Sequence, residues 1–192
     1  FVIGLVGVPV YMLNASFSWG PWILAFVLYW VTGLGITMGY HRYFSHRAYD
    51  ASPIVEFFLL VGGAMALQNS ALKWSADHRK HHSFTDTHKD PYNAKLGFWW
   101  SHVLWIFYID PEEEKARFEG ASREDRLISQ FPQCRDLIQS RMVRMQHACS
   151  IWLGLILSFA IPLAFGLWLG DVWGYILIAG FLRVTAIHNS TF

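Results

Sequence analysis

Hydrophobic residues form long uncharged runs at both ends of the chain, whereas the middle is mixed and polar. Residues 148–170 carry no charged side chain, and a run of more than about 20 apolar residues is long enough to cross a bilayer core as a helix. Residues 21–38 are also uncharged and begin with Pro, which suits the first turn of a helix. Aromatic residues near the ends of this run are typical of a membrane interface. Both runs therefore predict membrane-spanning helices.

The pattern predicts an all-α integral membrane protein with four transmembrane helices in two hairpins. The predicted spans are residues 1–13, 21–40, 148–169 and 172–190. The first run is too short to cross alone, so we interpret it as the second half of a truncated helix. Residues 41–147 are expected to form one helical cap, so that the chain is a single membrane domain that is truncated at both ends.

Charge predicts which side of the membrane the cap occupies. Fourteen of the fifteen Lys and Arg lie between Arg42 and Arg144, so the positive-inside tendency places the cap in the cytoplasm, at a bacterial inner membrane or at the endoplasmic reticulum of a eukaryote. The exception, Arg183, is expected to snorkel to the interface or to hydrogen-bond toward the polar domain. A composition of 54% hydrophobic and 15% charged residues is too apolar for an ordinary soluble domain. The net charge of +1 argues against a nucleic-acid partner.

Shorter segments fill the middle of the chain. Residues 53–72 are apolar but interrupted, and the Gly pair at 62–63 weakens them as a helix. They are predicted to form an interfacial or re-entrant helix, with a third span as the alternative. The aromatic residues 97–109 suit the membrane interface. A capping box at residues 122–125 is expected to start a charged helix that Pro132 ends.

Two short segments carry the candidate chemistry. His78, His81 and His82 are spaced i, i+3, i+4, which places them on one face of a helix over a single turn. His41 and His46 are five residues apart, a spacing that no regular helix keeps on one face, so a helix end is predicted there. Neutral imidazoles on one face can share a metal. Five exceed the needs of one catalytic metal with an open position, so a dinuclear centre is expected.

The alternative is that these histidines are solvated polar residues beside a membrane. Two tight clusters between apolar segments disfavour it, because desolvating so many imidazoles without partners is costly. An all-histidine donor set disfavours structural zinc and leaves iron, copper, zinc and nickel open. Cys134 and Cys149 form no CxxC motif and predict neither a disulfide scaffold nor a thiolate site. Two redox metals next to lipid suggest oxygen-dependent attack on an unactivated hydrocarbon.

The residues around both clusters resemble a known family, the membrane fatty acyl desaturases of the stearoyl-CoA desaturase type. Residues 41–49 resemble its first box, HRxxSHRxY. Residues 77–93 resemble its second box and the turn that follows, and residues 97–103 look like its GFxxSHV segment. The resemblance covers essentially the whole chain.

This resemblance implies four transmembrane helices under a cytosolic cap and a di-iron centre held mainly by histidines. It implies an O2-dependent oxidoreductase of fatty acid biosynthesis that inserts a cis double bond, most often at delta-9, into a saturated acyl chain. The implied partners are membrane lipid, an acyl-CoA or acyl-lipid substrate, and an electron donor of the ferredoxin, rubredoxin or cytochrome b5 type. Carried over by position, the expected iron ligands are His41, His46, His78, His81 and His82. No catalytic residue beyond the metal ligands is implied.

The resemblance also implies substrate contacts. The residues that it places at the acyl channel or its bend are Gln68, Asn69, Trp74, Thr191 and Phe192. Arg42, Arg79 and Lys80 are candidates for binding an anionic head group, with solvated flanking charges as the alternative.

Four other histidines are not expected to be ligands. His88 and His102 match the family and are expected to make structural hydrogen bonds. His147 and His188 flank predicted spans, where an interfacial role or a hydrogen bond toward a ligand is expected. The family's remaining ligands, an Asn-x-x-x-His pair and an HxxHH box, are expected beyond Phe192. This stretch alone is therefore expected to hold about half of the metal shell and to be inactive.

Two other functions remain alternatives to a desaturase. A membrane hydroxylase or alkane monooxygenase uses similar histidine boxes and differs in its product. A membrane metal transporter or metal-binding scaffold would place ionisable residues inside the spans to form an ion path, and residues 21–38 and 148–170 contain none.

Overall fold

The fold is helical throughout the part of the chain that the computed structural model describes, residues 1–102, 104–108 and 110–191. The α-helices are α1 (Val2–Asn14), α2 (Gly20–Leu34), α3 (Pro53–Ala64), α4 (Ala71–Phe84), α5 (Phe98–His102), α6 (Pro111–Ala116), α7 (Arg123–Gln130), α8 (Arg135–Gln139), α9 (Arg141–Leu169), α10 (Val172–Gly174) and α11 (Arg183–Thr191). Two π-helical segments are π1 (Gly35–Ser45) and π2 (Tyr175–Leu182). Short 3₁₀ turns cover Ala94–Leu96, Leu104–Phe107 and Pro132–Cys134. The predicted all-α class is confirmed for these residues.

Among the described residues, two helices are long and apolar enough to cross a membrane. Helix α2 continues without a break into π1 as one helix, Gly20–Ser45, of 26 residues, and α9 has 29 residues. Only 28% and 22% of their apolar windows are buried within the protein, so most of their apolar side chains face outward. Outward-facing apolar helices of this length are typical of membrane spans rather than of the core of a soluble protein.

The other predicted spans are also helical. Residues 1–13 correspond to α1, an apolar helix of 13 residues. Residues 172–190 correspond to the continuous run α10, π2 and α11. Segment π2 packs against α1, α2 and α9, which joins the two ends of the chain in one bundle.

Helix α3 packs against π1, α2 and α9 and does not cross the bundle. It begins at the Ser52 cap, whose hydroxyl accepts the backbone N–H of Val55, and it has 12 residues. At about 1.5 Å per residue, such a helix is far shorter than a bilayer core of about 30 Å. The short length therefore favours the interfacial or re-entrant alternative over a third span in residues 53–72.

The glycine pair in α3 forms a close helix contact, which corrects the expectation that it only weakens the helix. A Cβ atom at Gly35 of π1 would overlap backbone atoms of Gly62 and Gly63. A Cβ atom at Gly63 would overlap the ring of Tyr40, which is fully buried. The two backbones approach this closely because neither carries a side chain at the crossing point.

Of the two alternatives expected for Arg183, the structure shows an internal hydrogen bond rather than snorkelling to the interface. Arg183 is 2% exposed, and its guanidinium donates to the carbonyl of Met65 at the C-terminal end of α3 at 2.8 Å. The hydroxyl of Ser158 donates to the same carbonyl at 2.9 Å. The second half of the return helix is thereby tied to the end of α3 inside the bundle, rather than to the membrane interface.

The cap is built from short helices with clear start and stop signals. The predicted capping box is confirmed: Ser122 and Asp125 exchange hydrogen bonds at the start of α7, and Pro132 begins the next 3₁₀ turn. Helix α9 begins at the Ser140 cap and ends at Gly170, whose φ of 79° is left-handed. A hydrophobic core joins π1, α3 and α4 to helices α7 to α9. This core lies directly under the histidine segments.

We expect Gly35→Ala to destabilise the protein by about 1–3 kcal/mol, because the new methyl group meets backbone atoms that cannot move aside. The measurement is thermal unfolding of the purified protein in detergent.

Gly33→Ala is the matched control on the same helix. Its Cβ would meet only the terminal methyl of Ile187, at an ordinary 3.5 Å, and Ala forms helix better than Gly. Equal melting temperatures for the two variants would contradict the close contact.

Candidate metal centre

The first histidine pair lies where the helix changes to π-type hydrogen bonding. The backbone N–H of His46 donates to the carbonyl of His41 at 3.1 Å, an i to i−5 bond. This wider turn brings residues five apart onto one side, and the two ring centroids are 4.6 Å apart. The prediction of a helix end is confirmed for His46, which follows the last residue of π1. For His41 it is wrong, because His41 lies inside the segment.

The second pair comes from α4. His78 and His82 are one turn apart, and their Nε2 atoms are 3.1 Å from each other. Trp74 stacks on the His78 ring at 4.8 Å between centroids, with an interplanar angle of 24°. Because Trp74 is 6% exposed, it forms a fixed apolar wall behind that ring.

The two pairs meet and form one cluster. The Nε2 atoms of His46 and His78 are 3.0 Å apart, and ligand atoms from His41, His46, His78 and His82 all lie within 4.8 Å of one another. With metal–nitrogen bonds of about 2.0–2.1 Å, neighbouring nitrogens around one ion are separated by about 3.0–3.4 Å. The His46–His78 and His78–His82 spacings fit that range. Four of the five predicted ligands are therefore brought together.

His81 lies outside this four-histidine group, although its ring is next to those of two members. Its ring centroid lies 5.5 Å from that of His82 and 6.4 Å from that of His78. Its Nδ1 hydrogen-bonds to Oδ1 of Asp90 at 2.8 Å. In the tautomer that donates this bond, the lone pair on Nε2 is free to bind a metal.

Sequence reasoning missed Asp90, which was assigned only to a turn. Its side chain is fully buried, and it also accepts the backbone N–H groups of Asp86 at 2.8 Å and Tyr92 at 2.9 Å. Burial opposes ionisation, but the bonds from His81 and the two amides outweigh it and lower the pKa of Asp90. The sequence signal that could have found it is an acidic residue in the loop that directly follows the histidine helix.

The local electrostatics keep the central ring neutral. Burial, followed by the neighbouring imidazoles, lowers the pKa of His78 to about 3. Burial and the same kind of neighbours lower the pKa of His82. A neutral imidazole is the form that binds metals, so these rings are ready ligands at physiological pH.

An ion-pair cluster supports α4 from its other side. Lys73 donates to Asp77 at 2.6 Å and to Glu113 at 2.9 Å. Burial raises the pKa of Asp77 to about 6, although Lys73 opposes the change. This cluster ties the histidine helix to α6 on the face that points away from the rings.

A cavity of about 630 Å³ opens beside the histidines. Its lining residues are Ile36, Thr37, His41, Trp74, His78, His81, Tyr92, Phe98, Ser101, His102, Ser190 and Thr191. Gln68 donates from Nε2 to the Thr191 hydroxyl at 2.6 Å, so two of the predicted channel residues contact each other at the end of α11. Asn69 contributes its backbone carbonyl, which accepts a hydrogen bond from the Tyr40 hydroxyl at 3.4 Å. Phe192 lies outside the described residues.

The three head-group candidates differ in how far their charged groups are already engaged by other residues of the protein. Arg79 is corrected to an internal role, because its guanidinium donates to Asp136 and to three backbone carbonyls. Lys80 pairs with Asp110 at 2.5 Å. Arg42 is exposed on the surface of the protein. Of the three, Arg42 fits the prediction best.

The histidines that were not expected to be ligands lie outside the cluster. His147 hydrogen-bonds through Nδ1 to Ser70 at 2.7 Å, and Ser70 caps the start of α4. His147 therefore supports the histidine helix indirectly, through Ser70. His102 bonds to Asn189 at 3.2 Å, as predicted. His88 is exposed on the loop after α4.

We expect Asp90→Asn in the full-length protein to weaken metal binding by about 10–100-fold, because the amide no longer holds His81 in one tautomer and orientation. The measurement is a titration of the metal-free protein with Co2+ or Fe2+.

Asp86→Asn makes the same chemical change in the same loop. The Asp86 side chain is exposed, and only its backbone contacts Asp90, so binding should stay at the wild-type level. Equal losses in both variants would argue against a specific role for Asp90.

The family profile and the similar curated proteins agree on one family. The fatty acid desaturase family profile matches residues 17–191. The chain is 39% identical over 171 residues to a probable acyl-CoA desaturase of Schizosaccharomyces pombe, covering 88% of this chain and 33% of that protein. It is 35% identical over 194 positions to the sn-1 stearoyl-lipid 9-desaturase of Anabaena variabilis, covering 100% and 64%. It is 33% identical over 172 residues to the human stearoyl-CoA desaturase, covering 88% and 45%.

The chain thus spans between one third and two thirds of the length of these curated relatives. The profile covers both histidine segments as well as the cap and the helices on either side of it. This protein belongs to the fatty acid desaturase family.

Proposed function

We propose that the full-length protein is a fatty acyl desaturase that introduces a cis double bond, at delta-9, into a saturated acyl chain. The observation that supports this most is the convergence of four imidazoles from two separate segments within 4.8 Å, next to a cavity of about 630 Å³. Relatives named as acyl-CoA and acyl-lipid desaturases agree with this substrate class. The acyl chain reaches the enzyme as a coenzyme A ester or as a membrane lipid.

The donor set fits a pair of iron ions. His41, His46, His78 and His82 offer imidazole nitrogens that all lie within 4.8 Å of one another, and His81 offers a further nitrogen directed by Asp90. Such all-nitrogen sites without thiolates suit redox metals of the first transition row. When bound, two irons would supply the activation of O2 that the removal of hydrogen from an unactivated C–H bond requires.

The overall reaction balances with two external electrons. The saturated chain loses two hydrogen atoms to form the C=C bond, and O2 takes up these two hydrogens, two electrons and two protons to give two molecules of water. An electron donor of the ferredoxin, rubredoxin or cytochrome b5 type supplies the electrons. The exposed His46 and His82 edges lie on the cap side of the molecule, where a soluble donor can approach.

The chain's own residues position the substrate. The side chains of Ile36 and Phe98 offer apolar contact along the cavity. The Gln68–Thr191 hydrogen bond fixes the wall where the end of α11 meets the turn before α4. A cavity with a fixed wall holds one pair of C–H bonds of the acyl chain toward the histidine ligands and thereby sets the position of the double bond.

The four-span topology belongs to this proposal. Helix Gly20–Ser45 and α9 have the length and composition of spans, and the basic residues of the cap favour the cytoplasmic side. In this arrangement, α1 and the α10–α11 run complete two hairpins, and α3 lies at the interface below the histidines. Both histidine segments then reach the same side of the membrane.

We expect Ser16→Cys, in a background with Cys149→Ser, to react with a membrane-impermeant maleimide added to intact bacterial cells that hold the protein in their inner membrane. Lys115→Cys in the same background should react only after the membrane is opened. Both side chains are exposed, whereas Cys134 is buried and should remain silent. Labelling of Lys115→Cys in intact cells would contradict the cytoplasmic cap.

The activity is tested by expressing the full-length parent in cells that lack their own desaturase. We expect monounsaturated fatty acids, with the double bond located by gas chromatography and mass spectrometry. His81→Ala should reduce that product to the level of the empty vector, because a direct metal ligand is lost, whereas His88→Ala should retain it since His88 is an exposed loop residue.

Other products would identify the alternatives. A hydroxylated chain in place of the alkene would indicate a hydroxylase of the same family. Metal uptake without any modified lipid, reduced but not abolished by His81→Ala, would indicate a transporter or metal-binding scaffold.

A further inference from the structure

Two arginines meet one carboxylate beside the histidine cluster. Arg79 binds Asp136 in a two-pronged pair, with N–O distances of 2.8 and 2.9 Å. Arg47 donates from Nε to the same carboxylate at 2.9 Å and contacts it through a second nitrogen. Each arginine directly follows a cluster histidine in the sequence, since Arg47 follows His46 and Arg79 follows His78. One acidic side chain therefore joins both histidine segments.

Arg79 extends this connection into the backbone. It donates to the carbonyls of Phe44 at 2.6 Å and Ser45 at 3.0 Å, the last two residues of π1. It also donates to the carbonyl of Gln133 at 2.8 Å. A guanidinium has five N–H groups, and these bonds use all five. Arg79 is committed to holding the end of π1 against α4.

Asp136 is itself firmly placed. It lies on the short helix α8 between Cys134 and Ile138, both 0% exposed, so its backbone is anchored in the hydrophobic core. The side chains of Asp136 and Arg79 are 21% and 19% exposed. Two-pronged pairs with this degree of burial are stronger and more directional than ion pairs in open solvent.

The end of π1 needs such a support. His46 is the first residue after the segment, it is exposed, and Arg47 leaves the helix with a left-handed φ of 50°. Nε2 of His46 must nevertheless stay 3.0 Å from Nε2 of His78, a residue of α4 that lies 32 positions further along the chain. Packing below the helices fixes Tyr40 and Phe44 but does not reach this last residue.

We propose that Asp136 is a positioning residue of the metal centre, which holds His46 at binding distance from His78 by engaging Arg47 and Arg79. This inference rests on the proposed metal centre and adds a residue from outside both histidine segments. Asp136 contacts neither the metal ligands nor the cavity described above. It acts only through the two arginines.

The test uses the full-length protein in detergent and titrates the metal-free form with Co2+. The readouts are the affinity, the visible absorption spectrum of bound Co2+ and the helical circular dichroism. Asp136→Asn should keep the helical signal, bind Co2+ about 10–100-fold more weakly and change the spectrum, because the ligand geometry loosens. Asp136→Glu retains the charge and should recover most of the affinity.

Asp110→Asn is the matched control. Asp110 also pairs with a lysine of α4, at comparable exposure, but this pair connects to α6 rather than to the other histidine segment. It should bind Co2+ as the wild type does.

If Asp136→Asn does not fold, Arg47→Gln provides a second test of the same proposal. The Arg47 side chain is 63% exposed, so its loss should spare the fold, yet the same spectral change and a weaker affinity are expected. Unchanged affinity and spectrum in a folded Asp136→Asn or Arg47→Gln protein would overturn the proposal. A wild type that binds metal but forms no alkene would overturn the desaturase function alone, and a wild type that binds no metal would overturn both.

Discussion

The imidazoles of His41, His46, His78 and His82 have ligand atoms within 4.8 Å of one another, and positive charge on these rings would oppose that spacing. Burial and the surrounding rings lower the pKa of His78 to about 3, so the charged form of this ring is excluded near neutral pH. Ring nitrogens 3.0 Å apart can form a hydrogen bond or bind a common ion.

This spacing of the rings depends on how closely the backbones below them can pack. Gly35 lets π1 lie directly against the glycine pair of α3. The hydroxyl of Tyr40, one residue before His41, accepts a hydrogen bond from Nε2 of Gln146 at 2.7 Å, and the side-chain Oε1 of Gln146 accepts the backbone N–H of Ala71 at 3.1 Å. This buried chain joins π1, α9 and the first residue of α4. The rings are therefore positioned by a polar network that lies beneath them and does not itself bind the metal.

Carboxylates provide the second level of control, and they come from neither histidine motif. Asp90 fixes the orientation of His81 from the loop after α4, while Asp136 holds two arginines from α8. The two histidine segments bring the donors, and these acids restrict where the donors point. A shift in the loop would reach His81 directly through Asp90, and a shift in α8 would reach the histidine segments through Arg47 and Arg79.

The sequence predicted the helical class, the two clear spans and the participation of both histidine clusters, because apolar runs and the i, i+4 period leave strong local signals. It also predicted the capping box at Ser122. It did not predict that π1 would carry His41 inside the helix. A π-turn depends on packing against α3 and α4, and no local pattern records it.

Other features were likewise beyond the reach of local pattern. The sequence did not reveal that Arg79 is paired, because its partner Asp136 lies 57 residues away. It predicted that the glycine pair weakens α3, because the sequence does not show that Gly35 packs against that pair. The sequence alone therefore determined which residues supply the chemistry, since imidazole spacing and apolar length are local properties. Only the tertiary structure decided which imidazoles share a centre, because that depends on contacts between segments far apart in the chain.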